Sequence, residues 1–427
     1  MSADRWLVAW ALGYVAAGAA SLLVPLYAVA LGGGAFLVGV LASTAAFAAV
    51  PGALLWGWLA ERTGRRREFV LVALAATTAV LAAVPFVRTA WPLVAVNTLL
   101  WFVVSAAAPV LNLMVLEGAP ESDWESRIGA LNAWQGYGWV GGLALGSVWV
   151  PLAGPVLGPA LARRSLFWLC ALAAGLGTLL AIRWLPRRST VRPERIDADP
   201  SLLARLDRGA GRYVRTVPFA TTRLYWAIRN LDLAGLRRRG GRSLWLYLAA
   251  VGVFSAGFAV FWGPLPAYLA AAYPEERVFW FFLATNLASA AVFTRVGGWG
   301  LVYGGARLQA GALSVRAVLF PLVAVVVLLV GPPVELPALL VLFAAIGLTW
   351  AVIAVTATGL VTRLAGRDQG TALGFYAAIA GFGGAVGGIL GGWLAAAMGF
   401  TVTFLVAGGV VLASVAVVAA AESGRAG

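Results

Sequence analysis

The 427-residue sequence contains no histidine, and lysine is also absent because all 31 of its basic residues are arginine. Histidine is the commonest metal ligand and a frequent general base. Without it neither the HExxH zinc motif nor a Ser/His/Asp triad is possible, and without lysine there is no GxxxxGK[ST] phosphate-binding loop. We therefore expect no enzyme activity, no cofactor and no metal site.

Charge and cysteine are scarce as well. Only 11% of the residues are charged and 62% are apolar, whereas a typical soluble domain is about 25% charged. The mean hydropathy is +0.90. The single cysteine, Cys170, excludes an internal disulfide. A chain this apolar needs lipid as its solvent, so the composition predicts an integral membrane protein.

Apolar stretches recur along the whole chain at the length of transmembrane helices, which need about 20 residues. We place twelve of them at about 6–31, 36–60, 69–88, 91–116, 127–150, 165–185, 244–270, 278–302, 313–330, 337–362, 370–396 and 401–421. The sequence thus predicts an all-α membrane protein with a six-helix half at 1–185, a hydrophilic linker at 186–243 and a second six-helix half at 244–427.

The arginines predict the orientation. With a cytoplasmic N-terminus, only four arginines fall in outer loops, namely Arg88, Arg163, Arg164 and Arg277. This asymmetry follows the positive-inside rule and places both termini in the cytoplasm. It also explains the net charge of +14 without a nucleic-acid partner.

The linker carries nearly half of the arginines and, at 216–236, several aromatic and aliphatic residues. Two interpretations stay open for that stretch. It is either an amphipathic helix on the anionic inner leaflet or a solvated tether between the halves.

The two halves resemble each other in sequence. The first and seventh spans share a pattern in which Trp6, Gly13 and Pro25 correspond to Trp245, Gly252 and Pro264. The fifth and eleventh spans align so that Gly141, Gly142 and Gly146 correspond to Gly383, Gly384 and Gly388. Glycines also recur every four residues, at Gly138, Gly142 and Gly146 and at Gly383, Gly387 and Gly391. Such spacing permits close helix contact, either at a sliding interface between the halves or in static packing.

The connection between spans two and three carries a motif, Gly57-Trp58-Leu59-Ala60-Glu61-Arg62-Thr63-Gly64-Arg65-Arg66-Arg67. It resembles the signature loop of the major facilitator superfamily, Gly-x-x-x-Asp-Arg-x-Gly-Arg-Arg. The residues that match are Gly57, Arg62, Gly64, Arg65 and Arg66, with Glu61 in place of the usual Asp. The segment 367–374 resembles the matching loop before span eleven, and the six-plus-six arrangement fits the same family.

The resemblance implies a carrier that works by alternating access. It also implies that Glu61 acts as a conformational latch against span eleven. Glu117, at the inner end of span four, is a further candidate partner for Arg65 or Arg66. The alternative is that these arginines only enforce topology. The second half has lost the motif, since Gly304 and Gly305 stand where Glu61 and Arg62 would recur.

The resemblance further implies a substrate cavity lined by spans one, four, seven and ten, with help from five, eight and eleven. Polar and aromatic candidates in those spans are Tyr14, Ser21, Asn97, Trp101, Ser105, Asn112, Gln135, Ser255, Trp262, Asn286, Thr349 and Tyr376. The alternative for each is an interhelical hydrogen bond, worth about 0.6 kcal/mol. The set has no fixed charge, which suits a neutral or amphipathic solute.

Arg295 is the one charge that we place inside a span, near the inner end of span eight. It either contacts an anionic substrate or extends to the membrane surface. No acidic residue falls in the middle of a span, which disfavours proton antiport and leaves the coupling open.

We therefore predict a monomeric, multi-pass carrier of a small organic solute in the cell membrane. Efflux of amphipathic compounds and uptake of a neutral metabolite remain alternatives. The competing function is a non-transporting membrane sensor or scaffold that signals through the basic linker.

Overall fold

The computed structural model describes residues 5–116, 124–185, 241–365 and 369–423. Within them lie twelve helices of at least 18 residues. The first six are α1 (Trp6–Ala30), α2 (Ala35–Thr63), α3 (Arg66–Ala83), α4 (Pro92–Leu116), α5 (Trp124–Leu157) and α6 (Pro159–Trp184). The others, with the short helix α8, are α7 (Arg242–Trp262), α8 (Leu265–Ala272), α9 (Glu275–Tyr303), α10 (Gly305–Leu329), α11 (Glu335–Ala365), α12 (Gln369–Met398) and α13 (Phe400–Ser423).

Eleven helical segments are long and apolar enough to cross a membrane, with α7 and α8 forming one of them, Arg242–Ala272. In α4 the apolar stretch is shorter, Pro92–Ser105. Backbone polar groups in lipid must be satisfied within the segment, which helices achieve. The predicted order of twelve helices is confirmed.

Two helices begin earlier than the hydropathy predicts. The ninth long helix starts at Gly305 instead of 313, and the sixth starts at Pro159 instead of 165. Both added stretches contain polar residues, which lower the hydropathy of a sequence window without breaking a helix. In α10, for example, Gln309 is fully buried, and its side-chain oxygen accepts a 2.8 Å hydrogen bond from the hydroxyl of Tyr247.

The chain divides into two compact units. The first contains the described residues within Met1–Gly33, Ala48–Ala204 and Tyr273–Trp280, and the second those within Gly34–Phe47, Arg205–Ala272 and Phe281–Gly427. In the first unit α1 packs against α5 and α6, and α3 packs against α4 and α6. In the second unit α7 packs against α12 and α13, and α10 packs against α11 and α13. The repeat in the sequence is therefore also a repeat in packing.

Glycine sets the closest helix contacts in each unit. A Cβ at Gly142 would overlap the backbone carbonyl oxygen of Val15 on α1, and one at Gly387 would overlap that of Ala256 on α7. At Gly384 a Cβ would meet no atom within 4 Å. The close contact of Gly142 with α1 therefore has a counterpart in that of Gly387 with α7, and the alignment of the two repeats stays a prediction. Both contacts join helices of the same half, whereas Gly146 lies against Phe279 of α9 and Gly388 against Gly39 of α2, so both interpretations of the glycine pattern stay open.

Candidate functional site

The motif loop is a tight turn between α2 and α3. Gly64 has a φ of 68°, a conformation that favours glycine. Its N–H donates to the carbonyl oxygen of Ala60 at 3.0 Å and so closes the end of α2. The turn brings the arginines of the motif to the adjoining ends of the two helices.

The arginines of this loop differ in their surroundings. Arg62 and Arg65 are exposed and Arg66 is half-buried. Arg67 donates from Nη2 to the carbonyl oxygen of Ile182 on α6 at 2.6 Å, which ties the start of α3 to the end of α6. Gly57 and Glu61 lie in the last two turns of α2, and Glu117 lies outside the described residues.

An aromatic cluster in the first unit joins three helices. It consists of Trp10 and Tyr14 on α1, Trp101 on α4 and Trp139 on α5, and we call it the first-unit aromatic cluster. The ring centroids are 5.3 Å apart for Trp10 and Tyr14, 6.4 Å for Tyr14 and Trp139, and 6.1 Å for Trp101 and Trp139. Two predicted site residues, Tyr14 and Trp101, thus both pack against Trp139, which the sequence analysis missed.

Helical spacing was the signal that could have found the missed members. Trp10 lies one turn before Tyr14, and Trp139 lies one turn after the predicted residue Gln135, so each pair shares a helix face. The indole N–H of Trp10 is buried and has no hydrogen-bond partner among the described residues. A buried donor without a partner costs free energy, and an acceptor on a bound solute would satisfy it.

The remaining candidates of the first unit are not all in this cluster. Asn97 and Gln135 are buried on α4 and α5. The hydroxyl of Ser21 donates to the carbonyl oxygen of Gly18 at 2.7 Å, and that of Ser105 donates to the carbonyl oxygen of Phe102 at 3.0 Å. These two serines are therefore satisfied within their own helices. Asn112 lies in α4.

The second unit holds a buried arginine that the sequence analysis missed. Arg316 lies near the middle of α10 and is 1% exposed. Its Nε donates to the hydroxyl oxygen of Thr349 at 3.0 Å and its Nη2 donates to the carbonyl oxygen of Ile346 at 2.5 Å. Arg295 is consequently not the only charge inside a span. Hydropathy did not reveal Arg316, because a single arginine barely changes the mean hydropathy of an otherwise apolar window.

Aromatic rings surround the guanidinium of Arg316. The guanidinium carbon lies 4.6 Å from the ring centroid of Phe258 and 5.7 Å from those of Phe320 and Trp350. Desolvated cation–π contacts of this kind are each worth about 2 kcal/mol. Within the described ranges no carboxylate pairs with Arg316. What we call the Arg316 cluster consists of Arg316, Phe258, Phe320, Trp350 and Thr349. Arg316 gives the second unit a fixed charge that the sequence analysis did not expect.

The other candidates of the second unit lie on several helices. The ring of Trp262 packs against those of Phe282 and Phe343, with centroids 5.4 and 6.4 Å apart. Asn286 donates from Nδ2 to the carbonyl oxygen of Phe282 at 2.8 Å. Ser255 lies beside Gly383 where α7 contacts α12, and Tyr376 on α12 is half-buried. Arg295 is exposed and donates to the carbonyl oxygen of Ala291 at 2.9 Å.

Comparison with known proteins identifies the family. The family model described as Major Facilitator Superfamily matches residues 6–316. A mutant of the nucleoside transporter NupG superposes with a TM-score of 0.72 at 13% identity, covering 99% of this chain and 100% of that one. The POT family transporter PepTSo gives 0.67 at 12%, covering 98% and 97%.

The xylose transporter XylE from E. coli gives a TM-score of 0.64 at 15% identity, covering 96% of this chain and 95% of that one. The comparison with curated proteins found no match. At these identities the solved structures show a common fold, whereas the family model covers most of the sequence itself. The chain therefore belongs to the major facilitator superfamily of multi-pass membrane transporters and is not an enzyme.

Proposed function

We propose that the protein carries a small neutral or amphipathic organic solute across the cell membrane by alternating access. The observation that carries this proposal is the first-unit aromatic cluster with the unpaired indole N–H of Trp10. Aromatic faces bind flat or apolar surfaces, while a few placed polar groups fix the orientation of a ligand.

The acidic residues of the described chain support a neutral substrate and disfavour proton coupling through a buried carboxylate. Among the described residues every Asp and Glu lies at a helix end, for example Glu68, Glu275 and Glu335 in first turns. The half-buried Glu275 pairs with Arg163 of α6. No acid is therefore placed at mid-membrane depth in these ranges to bind a cationic solute or a proton.

Arg316 favours a second substrate class, organic anions. Among the described residues its charge is compensated by a hydroxyl, a carbonyl and aromatic rings and not by a carboxylate. A buried cation of this kind attracts an anionic group that reaches it. The substrate panel for this protein therefore includes organic anions as well as neutral solutes.

Binding is tested first by thermal stability of the detergent-purified protein. Nucleosides and sugars are the first neutral probes because solved structures of this fold include a nucleoside and a xylose transporter. A ligand that binds the folded state raises the melting temperature by mass action. We expect Trp10→Phe, which keeps a ring and removes the donor, to weaken binding about 2- to 10-fold.

The matched control is Trp168→Phe, because the side chain of Trp168 is 42% exposed on α6. Equal affinities of Trp10→Phe and the unaltered protein would contradict the assignment of the cluster as the binding site. Transport of the same ligand is then measured in proteoliposomes. Binding without turnover would contradict transport and support the sensor or scaffold alternative.

We also propose that Glu61 acts with Arg62, Arg65 and Arg66 as a conformational latch, with Gly57 and Gly64 shaping the loop. The position of Glu61 at the end of α2 and the turn at Gly64 support this role. We expect Glu61→Gln to lower the turnover number in proteoliposomes and to leave the ligand-induced thermal shift unchanged. Unchanged turnover of Glu61→Gln would contradict the latch. The arginines of the loop would then only set the orientation of the helices in the membrane.

A further inference from the structure

The second unit has a groove that the first-unit aromatic cluster does not reach. It lies among α9, α10 and α11 and has a volume of about 740 Å³, within the range of about 300–1,000 Å³ that is typical of ligand pockets. We call it the lateral groove, and it is lined among others by Trp299, Tyr303, Arg307, Val315, Leu348 and Val352.

The polar and apolar parts of the lateral groove are separated along its length. Trp299 and Tyr303 lie in the last two turns of α9, and Arg307 lies in the first turn of α10, all three exposed. The guanidinium of Arg363 lies against Gly305 and adds a second positive charge at this end. None of the described residues that line the groove is acidic.

Apart from Thr349, the rest of the groove is apolar. Val315 and Leu348 form exposed walls and Val352 is buried beneath them. Tryptophan, tyrosine and arginine at the membrane surface above an apolar surface are the combination that matches a lipid headgroup and its acyl chains. The positive-inside prediction places this end in the cytoplasmic leaflet, where anionic lipids attract arginine.

We propose that the lateral groove binds one anionic phospholipid. The phosphate lies at Arg307, next to the charge of Arg363, and an acyl chain lies along Val315, Leu348 and Val352. The groove shares Thr349 with the Arg316 cluster, so the test uses Arg307 and Gly311, which lie outside both that cluster and the first-unit aromatic cluster.

A glycine in the groove gives a direct way to block it. A Cβ at Gly311 would meet no atom within 4 Å, and Gly311 lines the groove, so Gly311→Leu is the substitution chosen to fill it. Gly409 on α13 is also helical and exposed and has the same open space. Gly409→Leu is therefore the matched control.

The experiment uses the full-length protein, purified in detergent and delipidated. Phosphatidylglycerol and phosphatidylcholine with identical acyl chains are added, and the melting temperature and the number of retained lipids in native mass spectra are measured. We expect phosphatidylglycerol to raise the melting temperature and one molecule to be retained. Arg307→Gln should weaken this binding about fivefold, as for the loss of one basic residue at an anionic surface.

Gly311→Leu should abolish the shift caused by phosphatidylglycerol, and Gly409→Leu should keep it. Equal shifts with phosphatidylcholine, an equal shift with inorganic phosphate alone, or full binding to Gly311→Leu would overturn the proposal. So would a dimeric mass that Gly311→Leu reduces to a monomer, because the occupant of the groove would then be a second copy of the chain.

Discussion

Replacing Gly142 with alanine is expected to destabilise the first unit, whereas the same replacement at the adjacent Gly141 is expected to be tolerated. The new Cβ at Gly142 would overlap backbone atoms of Val15 and Ala19 on α1, which no rotamer change relieves. At Gly141 the nearest atom is a side-chain carbon of Val15 at 3.5 Å, an ordinary contact. Both changes gain the same helix propensity, so the difference between them isolates the helix contact.

Overpacking of this kind costs about 1–3 kcal/mol. We expect Gly142→Ala to lower the melting temperature and the yield of folded protein in detergent, and Gly141→Ala to match the unaltered chain. The second unit offers the same comparison, with Gly387→Ala as the destabilising change and Gly384→Ala as its control. Equal melting temperatures within each pair would show that the helices separate easily at these contacts.

Arg316→Ala is expected to lower the stability of the second unit strongly. The substitution removes the hydrogen bonds to Thr349 and Ile346 and leaves a cavity under the ring of Phe258. Truncation of a large buried side chain to alanine costs about 2–5 kcal/mol. Because the arginine is also desolvated, an apolar side chain of similar length should restore most of the stability.

The variants are compared by melting temperature and by transport. We expect Arg316→Met to melt close to the unaltered protein and Arg316→Lys to remain destabilised, since an ammonium group lacks the fork that reaches two acceptors. Arg183→Ala, at an exposed position in the last turn of α6, is the control. A melting temperature of Arg316→Ala equal to that of the control would contradict the structural role.

Arg316→Met also separates the two candidate substrate classes. If the substrate is neutral, this stable variant should still bind and transport it. If the substrate is an anion held by Arg316, binding should be lost while the melting temperature is kept. The two substrate classes therefore predict different ligand binding by Arg316→Met but the same melting temperature.

The sequence by itself determined the class of protein and the order of its helices. Lipid admits only segments whose backbone groups are satisfied internally, so hydropathy alone locates twelve helices, and the motif from Gly57 to Arg67 indicates the family. The turn at Gly64 lies within this motif, and glycine adopts its positive φ without steric cost.

Only the tertiary structure decided which side chains meet. Arg316 and Thr349 are 33 residues apart in sequence, and the close contacts of Gly142 and Gly387 are made with the distant helices α1 and α7. Trp139 joins Tyr14 to Trp101 because three helices converge there. Periodicity gives the face of one helix, but the rotation and depth at which two helices pack are set by long-range contacts between many side chains, and those contacts exist only in the folded chain.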